Sequence, residues 1–208
     1  MAAEKLQSQL TRELKPLGMA KVKFQCRVTA VKPHNMGADE VEYYFSANPG
    51  EALQPLAMTA SGGEMSRFLL ALKSCFSPLD NSCQTLIFDE IDAGVSGKVA
   101  QAIADKLHKL SRNYQVLCVT HQPLVAAMAD NHFRVEKCLV KSKEKDNDNV
   151  RTVVQVRSLD NLDNRRDELA ELTGGHSADD AIAFADSLLE TAETRKKLIS
   201  EEQESIAS

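Results

Sequence analysis

Thr85-Leu-Ile-Phe88-Asp89-Glu90-Ile-Asp92-Ala-Gly94-Val-Ser96-Gly97 is the stretch on which the fold turns. Its first four residues form a short apolar run, the kind that a parallel strand covered on both faces requires, and two carboxylates follow at once. Open α/β sheets place their ligands outside the carboxyl ends of the strands, so Asp89 and Glu90 stand where such a protein does its chemistry. Downstream, Val99, Ile103, Leu107 and Leu110 recur at helical spacing, predicting a helix from about Ser96 to Leu110. A second apolar run, Val116 to Thr120, ends at His121. Strand, helix and strand in that order imply a right-handed parallel crossover that sets Asp89, Glu90 and His121 on one sheet edge.

On the N-terminal side, Leu6, Leu10, Leu14 and Leu17 mark an amphipathic helix closed by Pro16-Leu17-Gly18. The period then changes to two. Val22, Phe24, Cys26, Val28 and Ala30 alternate with polar residues, a loop spans Lys32 to Glu40, and Val41, Tyr43 and Phe45 alternate again, which predicts an antiparallel hairpin. Asn48-Pro49-Gly50 reads as a turn, and Ser61 opens a helix whose apolar face is Met65, Phe68, Leu69, Leu72 and Phe76, with Pro78 beyond its end.

On the C-terminal side, residues 123–130 form a short helix, and Phe133 to Val140 with Val150 to Val156 form a second hairpin. Its tip, Lys141 to Asn149, carries Lys141, Lys143 and Lys145, but Glu144, Asp146 and Asp148 offset them, so a solvated tip is expected rather than a nucleic-acid patch. A helix from Leu159 to Leu172 stops at Gly174-Gly175, and Ser177 to Asp180 caps a last helix over 178–191. Beyond Arg195 the chain is polar and expected to fray. The division is therefore a helix end at 1–18, one α/β unit at 19–195, and a disordered tail at 196–208.

Composition limits the function. The chain has 208 residues, with 25 Lys or Arg against 30 Asp or Glu, a net charge of −5, which excludes a uniformly basic nucleic-acid coat. No apolar run reaches the length of a membrane helix, and the start lacks the apolar block of a signal peptide, so a soluble, cytoplasmic protein is expected. Cys26, Cys75, Cys83, Cys118 and Cys138 form no Cys-x-x-Cys pair, and read as small apolar residues in a reducing compartment.

Three stretches carry chemistry: Thr59-Ala-Ser61-Gly62-Gly63-Glu64-Met-Ser66, Leu86 to Asp92, and Val119-Thr-His121-Gln-Pro123. Asp89 suits Mg²⁺, which prefers one or two carboxylates plus phosphate oxygens and water. Glu90 beside it suits a general base for an attacking water. Ser61 to Glu64 has two readings that stay open together. Ser-x-x-Glu is a capping box, whereas Gly62 and Gly63 bare the N–H groups of a helix start to an anion.

In order and spacing these stretches resemble the ATP-binding-cassette ATPases: Ser61-Gly62-Gly63-Glu64 their signature motif, Leu86 to Glu90 their Walker B strand, Ala93 to Gly97 their D-loop, and His121 their switch histidine. Asp89-Glu-Ile-Asp-Ala-Gly-Val-Ser-Gly97 and Val119 to Asp130 are similar to the RecN family of bacterial DNA-repair proteins, relatives of SMC (structural maintenance of chromosomes) proteins. The likeness runs from about residue 5 to 191. It implies ATP and Mg²⁺ as cofactors, Asp89 on the metal, Glu90 as base, and His121 sensing the γ-phosphate. Ser61, Gly62, Gly63 and Glu64 would meet the ATP of a second head, and Gly94, Ser96 and Gly97 would form the D-loop. Ser96 departs from the Asp usual there in transporter-type cassettes, so the role of that position is open.

A phosphate-cradling loop needs two glycines five apart followed by Lys. The glycines, at 18, 37, 50, 62, 63, 94, 97, 174 and 175, include no pair at that spacing. In RecN-like chains that loop lies beyond a long coiled coil, so the resemblance implies the C-terminal lobe of an ATPase head. Its partners would be the N-terminal P-loop lobe of the same protein, a second head in a homodimer, and DNA through the full protein near the nucleoid. Without a P-loop the chain alone is expected to be inactive. A non-catalytic assembly fragment and another SMC- or RecF-like head are the alternatives. A lobe of this kind should expose apolar surface on its parallel strands and hairpin.

Overall fold

The computed structural model describes residues 2–46, 50–58, 62–76, 85–141, 150–174 and 177–207. The leucines of the N-terminal segment build α1, Ala2–Leu14, and a 3-10 turn, Lys15–Leu17, follows. Leu10, Leu14 and Leu17 are fully buried, and Gly18 ends the turn with φ +78°, a left-handed conformation that glycine adopts without a Cβ penalty.

The hairpin comprises β1, Lys23–His34, and β2, Gly37–Ser46, paired antiparallel with Phe24 opposite Phe45. The strands run further than expected: the loop foreseen from Lys32 to Glu40 is mostly strand, with a register irregularity between Ala30 and His34. β3, Gln54–Pro55, adds a short edge to β2. Burial is confined to the base of this hairpin. Phe24 and Phe45 pack on Phe68 of α2, Gly62–Cys75, at ring-centroid distances of 5.6 and 5.5 Å. Val28 and Val41, nearer the tip, are exposed.

The α2 face is rotated from expectation. Gly63, Arg67, Phe68, Leu70 and Ala71 are buried, while Leu69 and Phe76 are exposed. The reason is that Gly63 and Arg67, chosen by contacts with the acidic turn described below, set the inward stripe. Asn48, Pro49, Ser61, Pro78, Cys83, Gly175 and the tip residues Lys143 to Asp148 lie outside the described residues.

β4, Thr85–Phe88, pairs parallel with β5, Gln115–Cys118, and the two are joined through α3, Gly97–Ser111. The expected parallel crossover is thus present. Full burial of the strands is not: Leu86 and Phe88 face the core at 8% and 4% exposure, while Ile87, Leu117 and Val119 lie bare on the opposite face. Among the described residues, helices cover one side of the pair and leave the other open. Cys118 lies on the covered side, where burial pushes its thiol up to about 12, and burial likewise raises Cys75 to about 11. Both behave as apolar residues with inert thiols.

Beyond α4, Pro123–Ala127, the second hairpin pairs β6, Phe133–Lys141, with β7, Val150–Ser158. α5 spans Leu162–Thr173, starting later than expected because Asn161 caps it, accepting the Asn164 N–H at 2.7 Å. Gly174 ends it with φ +61°. The Ser177 hydroxyl accepts the Asp180 N–H at 3.1 Å, as the capping pattern predicts.

The last helix corrects the expected tail. α6 runs from Ala178 to Ala207, so the segment foreseen as fraying continues the helix. Ile199 extends the buried stripe Ala181, Ala185, Leu188, Leu189 and Ala192 by two turns. Arg195 forks onto Asp105 of α3 at 3.0 and 2.5 Å, and Lys109 reaches Glu202 at 3.2 Å. Polar composition hid a helix whose outer turns are held by charge as well as by one isoleucine. No helix among the described residues is long and apolar enough to cross a membrane.

Candidate functional site

Two parallel strands in register carry their C-terminal residues to one edge. Phe88 stands opposite Cys118, and the Val119 N–H donates to the Phe88 carbonyl at 2.9 Å, so Asp89 and Glu90 emerge beside the segment leading to His121. The three residues foreseen on one sheet edge lie at its adjacent strand ends. Asp89, Glu90 and His121 are all exposed.

The turn after β4 is tightly folded. Glu90 has φ +54°, the only positive value at a non-glycine among the described residues, and such a backbone costs about 1–3 kcal/mol. What holds it is the first turn of α2. A Cβ on Gly63 would lie 2.8 Å from the Glu90 carbonyl oxygen, and one on Gly62 would lie 2.8 Å from Glu90 Oε2. The Ser66 hydroxyl donates to the Asp89 carbonyl at 2.7 Å. Arg67 Nη1 donates to the carbonyls of Ile91 and Ala93, at 3.2 Å each. The paired glycines therefore have a purely internal reason to be small: they admit the acidic turn against the helix start. The anion-receiving reading of the same residues is compatible with that close approach. Ser61 lies outside the described residues; Glu64 is half-buried on the first turn of α2.

Two buried charges complete the arrangement, and sequence reasoning singled out neither. Asp92 is 1% exposed. Its Oδ2 accepts the Thr120 hydroxyl, the His121 N–H at 3.0 Å and the Gln122 N–H at 3.2 Å, and lies 3.4 Å from His121 Nδ1. Arg67 is 9% exposed; burial lowers its pKa, and the carboxylates of Glu64 and Asp92 act against that shift. A signal for Arg67 was present, since it sits at helical spacing between Gly63 and Ala71 on one stripe.

Gly94 adopts φ +66° in the turn that follows, and Ser96 precedes α3 with extended backbone. Its carbonyl accepts the Ala100 N–H at 2.9 Å while its side chain makes no capping bond. Gly97 opens α3 facing Leu124. No group of three or more potential metal-ligating side chains exists among the described residues. A single exposed carboxylate, Asp89, is a hard-oxygen donor fitting an ion that keeps most of its water shell and takes its other ligands from a substrate.

No protein-family model matches the chain. Individual relatives do. DNA repair protein RecN of Synechocystis sp. is 57% identical over 201 residues, covering 94% of this chain and 34% of that protein. DNA repair protein RecN of Treponema pallidum is 39% identical over 206 residues, again 94% of this chain and 34% of the relative. That of Bacillus subtilis is 46% identical over 151 residues, 65% of this chain and 26% of the relative. The chain thus spans about a third of the length of the curated relatives it matches, in their C-terminal part. Among solved structures, the Smc head domain with a coiled coil and joint from Pyrococcus yayanosii aligns over 82% of this chain and 29% of its own, with a TM-score of 0.53 and 19% identity. That likeness shows the fold, an SMC-type head architecture.

Proposed function

We propose, from the 57% identity to the C-terminal part of a RecN protein, that the chain is the C-terminal lobe of an SMC-type ATPase head of the RecN family, acting in recombinational repair of DNA double-strand breaks. The observation that supports this most is the convergence of Asp89, Glu90 and His121 at adjacent strand ends, with the first turn of α2 against Glu90. Carboxylate pair, histidine and helix start are the parts that phosphoryl-transfer sites assemble, because that chemistry depends on positioning and charge stabilisation.

In this reading Asp89 would hold Mg²⁺, which would supply charge neutralisation to the phosphate oxygens of ATP. Glu90 takes the proton of the attacking water, and His121, with its side chain 69% exposed, reaches toward the terminal phosphate. Ser61, Gly62, Gly63 and Glu64 receive the nucleotide of a second head, and Gly94, Ser96 and Gly97 face the interface as its D-loop. An N-terminal P-loop lobe packs on the bare face formed by Ile87, Leu117 and Val119. DNA engagement belongs to the whole protein.

The chain mixed with a P-loop lobe of a RecN relative should hydrolyse ATP, and the chain alone should not. Glu90→Gln should abolish turnover while preserving ATP-dependent head dimerisation, and Ser61→Arg should prevent dimerisation itself. Turnover by the purified chain alone that disappears in Glu90→Gln would overturn the requirement for the second lobe. Normal dimerisation of Ser61→Arg, read by light scattering, would remove the trans contact.

A further inference from the structure

The backbone carrying His121 hangs from one oxygen atom. Asp92 Oδ2 accepts the hydroxyl of Thr120 and the amides of His121 and Gln122, and the Gln122 N–H is shared with Thr120 Oγ1 at 3.0 Å. A carboxylate at 1% exposure whose oxygen accepts from three half-buried donors is a rigid anchor, because withdrawing it would break all three hydrogen bonds at once. The His121 side chain, by contrast, is 69% exposed. Fixed backbone and exposed imidazole together give a group aimed outward from a determined origin.

Asp92 is in turn bracketed from α2. The carbonyls on either side of it, Ile91 and Ala93, both accept from Arg67 Nη1 at 3.2 Å, and the Asp89 carbonyl accepts from Ser66. Arg67 touches neither His121 nor its loop in this set of bonds; it acts on the turn from which Asp92 projects. A continuous chain of hydrogen bonds therefore leads from the first turns of α2, through residues 91–93, to residues 120–122.

We propose that Asp92 is the positioning residue for His121 and that Arg67 transmits the placement of α2 to it, so that the helix start and the histidine move as one mechanical unit. The proposal deepens the ATPase reading above and rests on it for the meaning of His121, since α2 would meet one head's nucleotide and His121 the other's. The bonded linkage itself is a property of this chain and is measurable without nucleotide.

The test is amide hydrogen exchange followed by NMR on the whole chain. Asp92→Ala should speed exchange at His121 and Gln122 by about tenfold or more, the loss expected when a buried acceptor is withdrawn. Asp92→Asn keeps an acceptor oxygen and should restore most of that protection. Arg67→Met should also raise exchange at His121, a residue it does not touch, while Leu86 and Leu117 in the strand pair stay protected and report an intact fold. Should Arg67→Met fail to fold, Arg67→Lys serves in its place with a smaller expected effect.

Unchanged exchange at His121 in Asp92→Ala, or in the folded Arg67 variant, overturns the proposal. Joined to a P-loop lobe, Asp92→Ala should lower kcat at least about tenfold with little change in KM for ATP, and Asp92→Asn should recover it. An active wild-type assembly in which Asp92→Ala keeps full kcat also overturns it. An inactive wild-type assembly instead refutes the ATPase reading, with the exchange results standing apart.

Discussion

The two hairpins share a ladder and differ in what holds them. β1–β2 enters the core at its base, where Phe24 and Phe45 are 5% and 3% exposed and both rings meet Phe68. β6–β7 presents Phe133, Val135, Leu139, Val154 and Val156 to solvent on one face. Its other face is tied to α5 by Arg134, which donates to Glu168 at 2.6 Å and to Glu171. One hairpin is anchored by apolar burial, the other by an ion network, although both read as the same alternation of apolar and polar residues. Alternation identifies a strand with two unlike faces; it does not say that either face is covered.

The largest effect that tests this contrast is expected at Phe68. Phe68→Ala removes the ring on which both aromatic residues of β1–β2 rest, and should cost about 3–5 kcal/mol in urea unfolding. A loss below about 1 kcal/mol would show that the first hairpin is not held by its aromatic base.

A smaller effect is expected from pH. His132, next to the first residue of β6, has its pKa lowered from 6.5 by burial and then by the neighbouring Arg165. His108 on α3 is lowered mainly by burial, with Lys196 and Arg112 acting the same way and Asp130 and Asp105 against it. Below pH 6.5 the unfolded chain binds these protons first, so stability should fall as the pH drops from 6.5 toward the lowered native values. Above 6.5 both states are neutral at these sites, and these histidines add no pH dependence. Urea midpoints between pH 7.5 and 5 measure the slope, and His132→Phe should flatten it; an unaltered slope in that variant would exclude the β6 base as its source.

The smallest effect concerns the ion network. Arg134→Ala should cost about 1 kcal/mol or less, and the difference from wild type should shrink in high salt. A cost that salt leaves unchanged would mean that the arginine stem, packed rather than charged, anchors the second hairpin.

Much of this fold was legible in the sequence, for reasons that differ by element. The parallel pair followed from two short apolar runs separated by a helical stripe, and the juxtaposition of Asp89, Glu90 and His121 from their places at the ends of those runs. α1 and both hairpins followed from clean periods. The inward face of α2 did not, because hydropathy assigns Leu69 to the core and Arg67 to solvent. Arg67 is buried instead because carbonyls of the turn after β4 receive it; its spacing with Gly63 and Ala71 marks the stripe, but the partner 24 residues away is not in that pattern. Asp92 was hidden in the same way: it stood in plain view beside the acidic pair, yet its partners come from a different strand. The outer turns of α6 escaped because ion pairs to α3 supply what composition withheld.

The left-handed backbone at Glu90 sets stability against the role proposed for that residue. Replacement by glycine would release the conformational strain and should raise the unfolding midpoint, because glycine occupies positive φ without steric cost. The same replacement deletes the carboxylate proposed as the base. Glutamine keeps the strain and loses only the charge, so Glu90→Gln and Glu90→Gly share a chemical defect and differ in thermodynamic outcome. A residue that would be more stable as glycine and is nonetheless glutamate marks a place where the molecule gives up folding free energy to aim one side chain.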